Sequence, residues 1–158
     1  MNWQLSPSEN PTALWRLQRN SQWIEFIDSV DNLPKIRYQT VLIDLAKWDQ
    51  YWQQDRCNFV PSDLSYFPTE CCASNSDYVA EIAMHQQKIK RWADELASGS
   101  GKVPAVCFCE TTVNGLLRIR QGRHRIVYLR QLGIPALAAA IPIALLHDFT
   151  EQQLVFNH

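Results

Sequence analysis

The chain has 158 residues and a formal net charge of −1, with 15 Lys and Arg against 16 Asp and Glu. About 46% of its residues are hydrophobic and 20% are charged, a composition that is typical of a folded domain and excludes an intrinsically disordered chain. The longest apolar stretch, Ile134 to Leu146, contains two prolines and is shorter than the roughly 20 residues that a membrane span requires. The charge balance also excludes a protein that coats nucleic acid through bulk basicity.

The first half of the chain predicts three elements. A short helix is expected over Pro11–Gln18, and the β-branched residues of Lys35–Ile43 favour a strand. Asp44 is positioned to cap a helix over Leu45–Gln54. That helix places Trp48 and Trp52 on one face, where core packing is the more common role of such a pair and base stacking is the alternative.

The second half alternates loops, helices and strands. Residues 57–76 are rich in turn-forming residues and predict a loop. Asp77 is then expected to cap a long helix, and that helix is expected to stop at Ser98–Gly101. The Asn114-Gly115 pair predicts a tight turn between two strands. The remaining predicted elements are, in chain order, strands Val103–Glu110 and Leu116–Arg120, helix Arg123–Leu132, strand Ala136–Ile141 and a partly helical tail over residues 143–156.

Five cysteines are present, an odd number that argues against a closed disulfide framework. Cys71 and Cys72 lie in the predicted loop, and Cys107 and Cys109 alternate along a predicted strand. No C-x-x-C spacing of the kind used by structural zinc sites occurs. Buried free thiols and a cytoplasmic location are therefore predicted.

Positive charge is concentrated in one segment. No Asp or Glu occurs from Thr111 to His147, a stretch that contains Arg118, Arg120, Arg123, Arg125 and Arg130. A solvated basic face is one interpretation of such a cluster, and a site for an anionic ligand is the other.

The run Arg118 to Arg125 joins a predicted strand to a helix through Gly122. The first N–H groups of a helix lack partners inside the helix and carry a partial positive charge, which makes them a common phosphate site. Basic residues oppose the helix dipole at that end, so Arg123, His124 and Arg125 are poor choices for stability alone. The pattern therefore predicts phosphate binding at this turn.

The sequence from Leu117 to Pro142, with its G-R-H-R box, the following Leu132-Gly133 and a closing strand, resembles the phosphate-binding box of the ParB/sulfiredoxin superfamily. The strong resemblance covers residues 103–142. It implies an α+β single-domain ParB/sulfiredoxin-like fold, a small mixed sheet with flanking helices and a strand–GRHR–helix phosphate site. Residues 35–158 would form this domain, and residues 1–34 an N-terminal extension packed on it.

Departures from the family pattern point to one branch of it. Arg123 stands where sulfiredoxins have a reactive cysteine and where partition ParB proteins have an acid. The G-R-H-R form resembles the ParB-like nuclease branch and, within it, the fertility-inhibition and oncogenic-suppression proteins of conjugative plasmids. Tyr128 replaces a small residue of the family, and its bulk is expected to narrow the pocket.

The resemblance implies inhibition of conjugative DNA transfer in a bacterial cytoplasm, with ATPase and DNase as candidate activities. ATP or a related nucleotide would be the substrate, Mg²⁺ a candidate cofactor, and DNA and a type IV secretion or conjugation protein candidate partners. The expected phosphate ligands are Gly122, Arg123, His124, Arg125, Arg118 and Arg120.

For catalysis we expect His124, Arg125 and Glu110 to act together. His124 would act as a hydrogen-bond donor or general acid, because an ordinary histidine titrates near neutral pH. Glu110 would act as the base, with Asp77 and Glu81 as alternatives and a solvent-exposed charge as the other interpretation of Glu110.

A different class of function is also compatible with the sequence. A catalytically inactive ParB-like protein could inhibit or neutralise a secretion component or a toxin, as an immunity protein does. Trp3, Trp15 and Trp23 would then form an exposed contact surface, since Trp is enriched in binding hot spots. Their burial would instead indicate a core role.

Overall fold

A computed structural model describes residues 2–29, 33–64, 75–97 and 100–157, without the side chains of residues 75–77 and 100. The strands are β1 (Gln4–Pro7), β2 (Trp15–Arg19), β3 (Gln22–Ile27), β4 (Tyr38–Asp44), β5 (Ser100–Pro104), β6 (Val106–Phe108), β7 (Ile119–Gln121) and β8 (Ala136–Pro142). The helices are α1 (Leu45–Trp52), α2 (Asn75–Glu95), α3 (Arg123–Gln131) and α4 (Leu146–Glu151), with a short 3₁₀ turn at Ile143–Leu145.

These strands form two mixed sheets. The first has the order β1-β2-β3-β5, in which only the β3–β5 pairing is parallel. The second has the order β4-β8-β6-β7, in which only β6 and β8 are parallel. The predicted α+β class is confirmed, but the prediction of one small sheet is wrong because the chain builds two.

Ala105 is the point at which the chain passes from one sheet to the other. Its N–H donates to the carbonyl of Ile27 at 2.9 Å, at the end of β3. The predicted strand Val103–Glu110 is therefore split into β5 and β6. Through β5, residues 22–27 share a sheet with a segment that lies about 75 residues later in the chain.

The core is shared by both sheets and the helices. Strand β8 is buried at all seven positions, as expected for a strand with neighbours on both edges. Trp48 and Trp52 are 0% exposed, which confirms their core role. The ring of Trp48 packs edge-on against Phe108 at 4.9 Å between centroids, and Trp52 donates through Nε1 to Asn58 Oδ1 at 2.8 Å.

Several predicted boundaries are confirmed. Asp44 caps α1 by accepting a hydrogen bond from the Lys47 N–H at 3.0 Å. Asn114 and Gly115 both have positive φ and connect the paired residues Val113 and Leu116. Strand β8 and the partly helical tail also lie where they were predicted.

Other predicted boundaries are wrong. The segment predicted as helix Pro11–Gln18 ends in β2, whose buried Leu17 lies between two more exposed neighbours, a strand-like alternation. Helix α2 begins at Asn75, so Asp77 lies inside it and does not precede it. Ser100 and Gly101 begin β5 and do not end the helix, whereas Ser98 and Gly99 lie outside the described residues.

The tryptophans of the N-terminal sheet are half-buried, so neither the exposed patch nor the full burial is found. Trp3 donates through Nε1 to the carbonyl of Leu132 at 3.2 Å, and the Arg19 guanidinium lies 4.5 Å above its ring. Arg16 lies 4.9 Å from the ring of Trp23 in the same way. The hydrogen bond from Trp3 joins the N-terminal segment to the end of α3, whereas the two arginine–tryptophan contacts lie within that segment and the first sheet.

Among the described residues Cys57, Cys107 and Cys109 form no disulfide with one another, and only Cys107 of the three is buried. Cys71 and Cys72, together with most of the loop predicted around them, lie outside the described residues. None of the helices in the described ranges is both long and apolar enough to cross a membrane.

Candidate phosphate-binding site

Gly122 forms the junction between β7 and α3, and the backbone there requires glycine. Its φ of +116° is a conformation that other residues rarely adopt. A Cβ atom at this position would lie 2.7 Å from Cγ1 of Val106. The close approach to β6 therefore fixes where α3 begins, as the predicted strand–glycine–helix turn requires.

Helix α3 begins immediately after this turn. No side chain caps it, and the first helical hydrogen bond runs from the Ile126 N–H to the Gly122 carbonyl at 2.9 Å. The positive end of the helix dipole thus lies at Arg123, His124 and Arg125.

A cleft of about 360 Å³ opens at this helix end, between α2 and α3. Its lining residues are Lys88, Arg91, Trp92, Arg120, Gln121, Gly122, Arg123, His124 and Arg125. Of these residues, which belong to the described part of the chain, five carry positive charge and none is a carboxylate. We call this feature the basic cleft; its electrostatics favour a multiply charged anion.

Arg120 and Arg123 both line the basic cleft, so the structure brings these two predicted residues together. Arg120 is exposed and Arg123 is half-buried. The Nη1 atom of Arg123 donates to the carbonyl of Asn58 at 3.3 Å, a long contact.

Arg125 also lines the basic cleft, but its guanidinium is held in the protein interior. The residue is 8% exposed, and Nη1 donates to the carbonyls of Pro104 and Ala105 at 2.8 and 2.9 Å. The guanidinium lies 5.2 Å from the ring centre of Trp92. Arg125 thus ties α2 and α3 to the crossing point between the two sheets, while its predicted phosphate contact stays a prediction.

Arg118 does not line the basic cleft, contrary to prediction. It makes a two-pronged ion pair with Asp55, with Nε–Oδ2 and Nη2–Oδ1 distances of 2.8 Å. The hydrogen bonds to Asp55 raise the pKa of Arg118 above its usual value. The charge of Arg118 is therefore neutralised by the buried carboxylate of Asp55.

Glu110 also lies elsewhere. It lines a separate groove with Ile36 and Ile143, and its Oε1 accepts a hydrogen bond from the Tyr38 hydroxyl at 3.1 Å. Burial and this neighbouring carboxylate raise the pKa of Tyr38. The structure does not bring Glu110 to the basic cleft, where the predicted base would have to act.

His124 meets a residue that the sequence did not single out. Its Nε2 lies 2.7 Å from Nδ1 of His85 on α2, and the two rings are nearly parallel. Burial, aided by His85, Lys88, Arg123 and Arg91, lowers the pKa of His124 to about 3. His124 is therefore neutral at neutral pH, and the prediction that it titrates there is wrong.

His85 continues this contact to a carboxylate. Its Nε2 lies 3.5 Å from Oε2 of Glu81, one helical turn earlier. Burial and Arg123 lower the pKa of His85. The Glu81, His85 and His124 side chains thus form a chain of contacts that ends at the basic cleft.

Tyr128 does not narrow the basic cleft, so that prediction is also wrong. It lines a small pocket with Trp3, Leu96 and Leu132 on the side of the first sheet. Burial raises the pKa of its hydroxyl.

The sequence reasoning missed His85, Lys88, Arg91 and the cleft role of Trp92. A signal was present, because Glu81, His85, Lys88 and Trp92 follow one another at spacings of three and four along one face of a helix. The sequence pattern of α2 predicts which side of the helix is apolar. Only the packing of α2 on α3 shows that the side with these four residues meets the turn at Gly122.

Comparison with protein-family models, with curated proteins and with solved structures gave no significant match.

Proposed function

We propose that this protein binds a nucleotide or a nucleic-acid phosphate group in the basic cleft, as members of the ParB/sulfiredoxin superfamily do. One observation supports this most strongly. Five cationic side chains line the cleft at the N-terminal end of α3, and none of the described lining residues is a carboxylate. Such a concentration of positive charge attracts an anionic ligand.

The chemistry of the lining residues favours phosphate among anions. Guanidinium groups match two phosphate oxygens at once, and backbone N–H groups at a helix start hydrogen-bond to the others. Arg120 and Arg123 can supply the first kind of contact, and the turn at Gly122 the second. The net charge of −1 favours a confined site over an extended nucleic-acid groove.

Magnesium would have to arrive with the nucleotide. Protein-held Mg²⁺ prefers carboxylate oxygens, and none occurs among the described residues that line the basic cleft. Within the described residues no cluster of three potential metal ligands occurs. The residues present therefore fit phosphate oxygens bound by Mg²⁺ better than a metal site built by the protein.

The resemblance supplies the biological context of the proposal. We expect a role in plasmid fertility inhibition, in which the phosphate site serves ATP hydrolysis or DNA cleavage and a conjugation or type IV secretion protein is the target. The G-R-H-R turn at Gly122 is the feature that supports this context.

A second candidate is a phosphate-binding protein without catalytic activity that inhibits a protein partner. It is favoured by the position of Glu110, which hydrogen-bonds to Tyr38 in a different groove from the one that would hold the phosphate. Binding without turnover would support this candidate.

The test compares two lysines of the same helix. Lys88 lines the basic cleft, whereas the exposed Lys90 does not. ATP and inorganic triphosphate are titrated into the full chain and into the Lys88→Gln and Lys90→Gln variants. Loss of one charge-assisted contact should weaken binding about tenfold for Lys88→Gln only. Equal affinity for all three proteins, or no binding by the wild type, would contradict the proposal.

A further inference from the structure

Trp92 on α2 gives the basic cleft a planar apolar wall beside its cations. The residue is half-buried, and its backbone is enclosed in the helix, where the Trp92 carbonyl accepts a hydrogen bond from the Leu96 N–H at 3.1 Å. Trp92 therefore lines the cleft with its indole ring. A phosphate group gains little from this ring, which offers a single N–H donor, so the indole points to an uncharged, planar part of the ligand.

The indole of Trp92 is held in place by Arg125. The Arg125 guanidinium lies over the ring, 5.2 Å from its centre, and it also donates to the carbonyls of Pro104 and Ala105. One face of the indole thus packs on an anchored group, and a ligand in the cleft meets the remaining surface of the ring. Because the ring is already ordered, a planar group that packs on it pays little side-chain entropy.

The packing of α2 on α3 sets the distance between the cations and the indole. The two helices touch at the His85–His124 contact and again where Trp92 meets Arg125. Lys88 lies between these two contacts, one helical turn before Trp92 and about 6 Å from it along the helix axis. Both Lys88 and Trp92 line the cleft. This spacing suits a ligand that has an anionic end and a planar end.

We infer that the basic cleft binds a nucleoside triphosphate whose base packs against the indole of Trp92. This inference rests on the proposed function, because it names the ligand of the same site. The cations attract any polyphosphate, whereas the indole favours those that carry a base. Trp92 is therefore a specificity-determining residue. Every base has a planar π face, so stacking of this kind selects nucleotides over inorganic polyphosphates and discriminates weakly among the bases.

The size and charge of the cleft favour a free nucleotide over a nucleic-acid strand. A volume of about 360 Å³ falls within the range of roughly 300–1,000 Å³ that is typical of small-molecule sites. Five cations converge on this one cleft, which suits several phosphates joined in a short chain. A single strand distributes its phosphates along its whole length, and the net charge of −1 adds little attraction for it.

The experiment compares ATP with ribose 5-triphosphate, which has the same sugar and phosphate chain but no base. Calorimetric titration into the full chain should show about tenfold tighter binding of ATP. Trp92→Leu should remove this preference by weakening ATP alone, with the affinity for ribose 5-triphosphate kept within about twofold. Trp92→Phe retains an aromatic face and should keep part of the preference, and it serves as the test variant if Trp92→Leu does not fold.

Trp23→Leu is the matched control. Trp23 is also half-buried and has the Arg16 guanidinium 4.9 Å from the centre of its ring, but it lies on β3 and does not line the basic cleft. Both leucine variants lose an indole–guanidinium contact. Only Trp92→Leu should change the ratio of the two affinities, and Trp23→Leu should keep the wild-type ratio.

The outcomes separate the two proposals. Failure of the wild type to bind either ligand would contradict the proposed function itself. Equal wild-type affinities for the two ligands, or a loss of affinity in Trp92→Leu that is the same for both, would overturn the role of Trp92 and leave the phosphate site intact. A strand of about ten deoxyadenosines should bind more weakly than ATP, and tighter binding of the strand would overturn the assignment of a free nucleotide.

Discussion

His85 Nδ1 and His124 Nε2 lie 2.7 Å apart and join α2 to α3 at the edge of the basic cleft. Only one proton fits between these atoms, so protonation of both rings would set two donors against each other. The geometry therefore disfavours protonation of both rings at once, and the surroundings lower the pKa of both histidines.

This pair makes the stability of the protein depend on pH. An unfolded histidine has its pKa near 6.5, whereas that of His124 is about 3 in the folded protein. The unfolded chain takes up the proton first, so stability is fully present above pH ~6.5 and falls as the pH is lowered toward 3. We expect a lower urea midpoint at pH 5 than at pH 7.5.

The His124→Gln variant provides the control for this dependence. Its side chain does not titrate, so the difference between the two urea midpoints should shrink. An unchanged difference would mean that other groups cause the loss of stability in acid.

Substitution of Arg118 should affect stability and not triphosphate binding, whereas substitution of Arg91 should affect binding and not stability. Arg118→Gln leaves Asp55, which is 5% exposed, without its cation and should lower the free energy of unfolding by about 3 kcal/mol. It should leave triphosphate affinity unchanged, because Arg118 does not line the basic cleft.

Arg91→Gln should weaken triphosphate binding with little change in stability. Its ion pair with Glu95 is exposed at both ends, and such pairs contribute less than about 1 kcal/mol. Urea unfolding and calorimetric titration of both variants check the contrast. A loss of affinity in Arg118→Gln equal to that in Arg91→Gln would contradict the assignment.

Gly122→Ala should disrupt the turn at the basic cleft. The positive φ and the 2.7 Å approach to Val106 together should lower the free energy of unfolding by about 2 kcal/mol or more. Gly115→Ala, at a turn with φ +78° and no neighbour within 4 Å, should cost only about 1 kcal/mol. Val106→Ala in the Gly122→Ala background should restore part of the loss by removing the clash. Equal stability of the two alanine variants would show that the contact with Val106 has no influence.

Local patterns predicted much of the fold. The cap at Asp44, the Asn114-Gly115 turn and the strand–glycine–helix junction at Gly122 depend on residues close together in the chain. The first sheet was missed because β2 is short and is held by pairing with β1 and β3. The split at Ala105 was missed because a continuous apolar run does not reveal a change of sheet.

The candidate site was predicted in part for the same reason. Arg120, Arg123 and His124 lie within one turn of Gly122, so the sequence alone places them together. His85 and Lys88 reach the basic cleft only because α2 packs on α3. The partner of Arg118 lies 63 positions earlier in the chain, and no local pattern shows that this arginine is neutralised.

If phosphate binds at the start of α3, the backbone amides there must change their NMR chemical shifts, and this change is the most direct test. Inorganic triphosphate is titrated into the ¹⁵N-labelled chain at neutral pH and at two salt concentrations. The claim predicts that the amides of Gly122, Arg123, His124 and Arg125 shift most, and that the effect weakens at high salt. Shifts confined to other surfaces, or none at millimolar triphosphate, would contradict it.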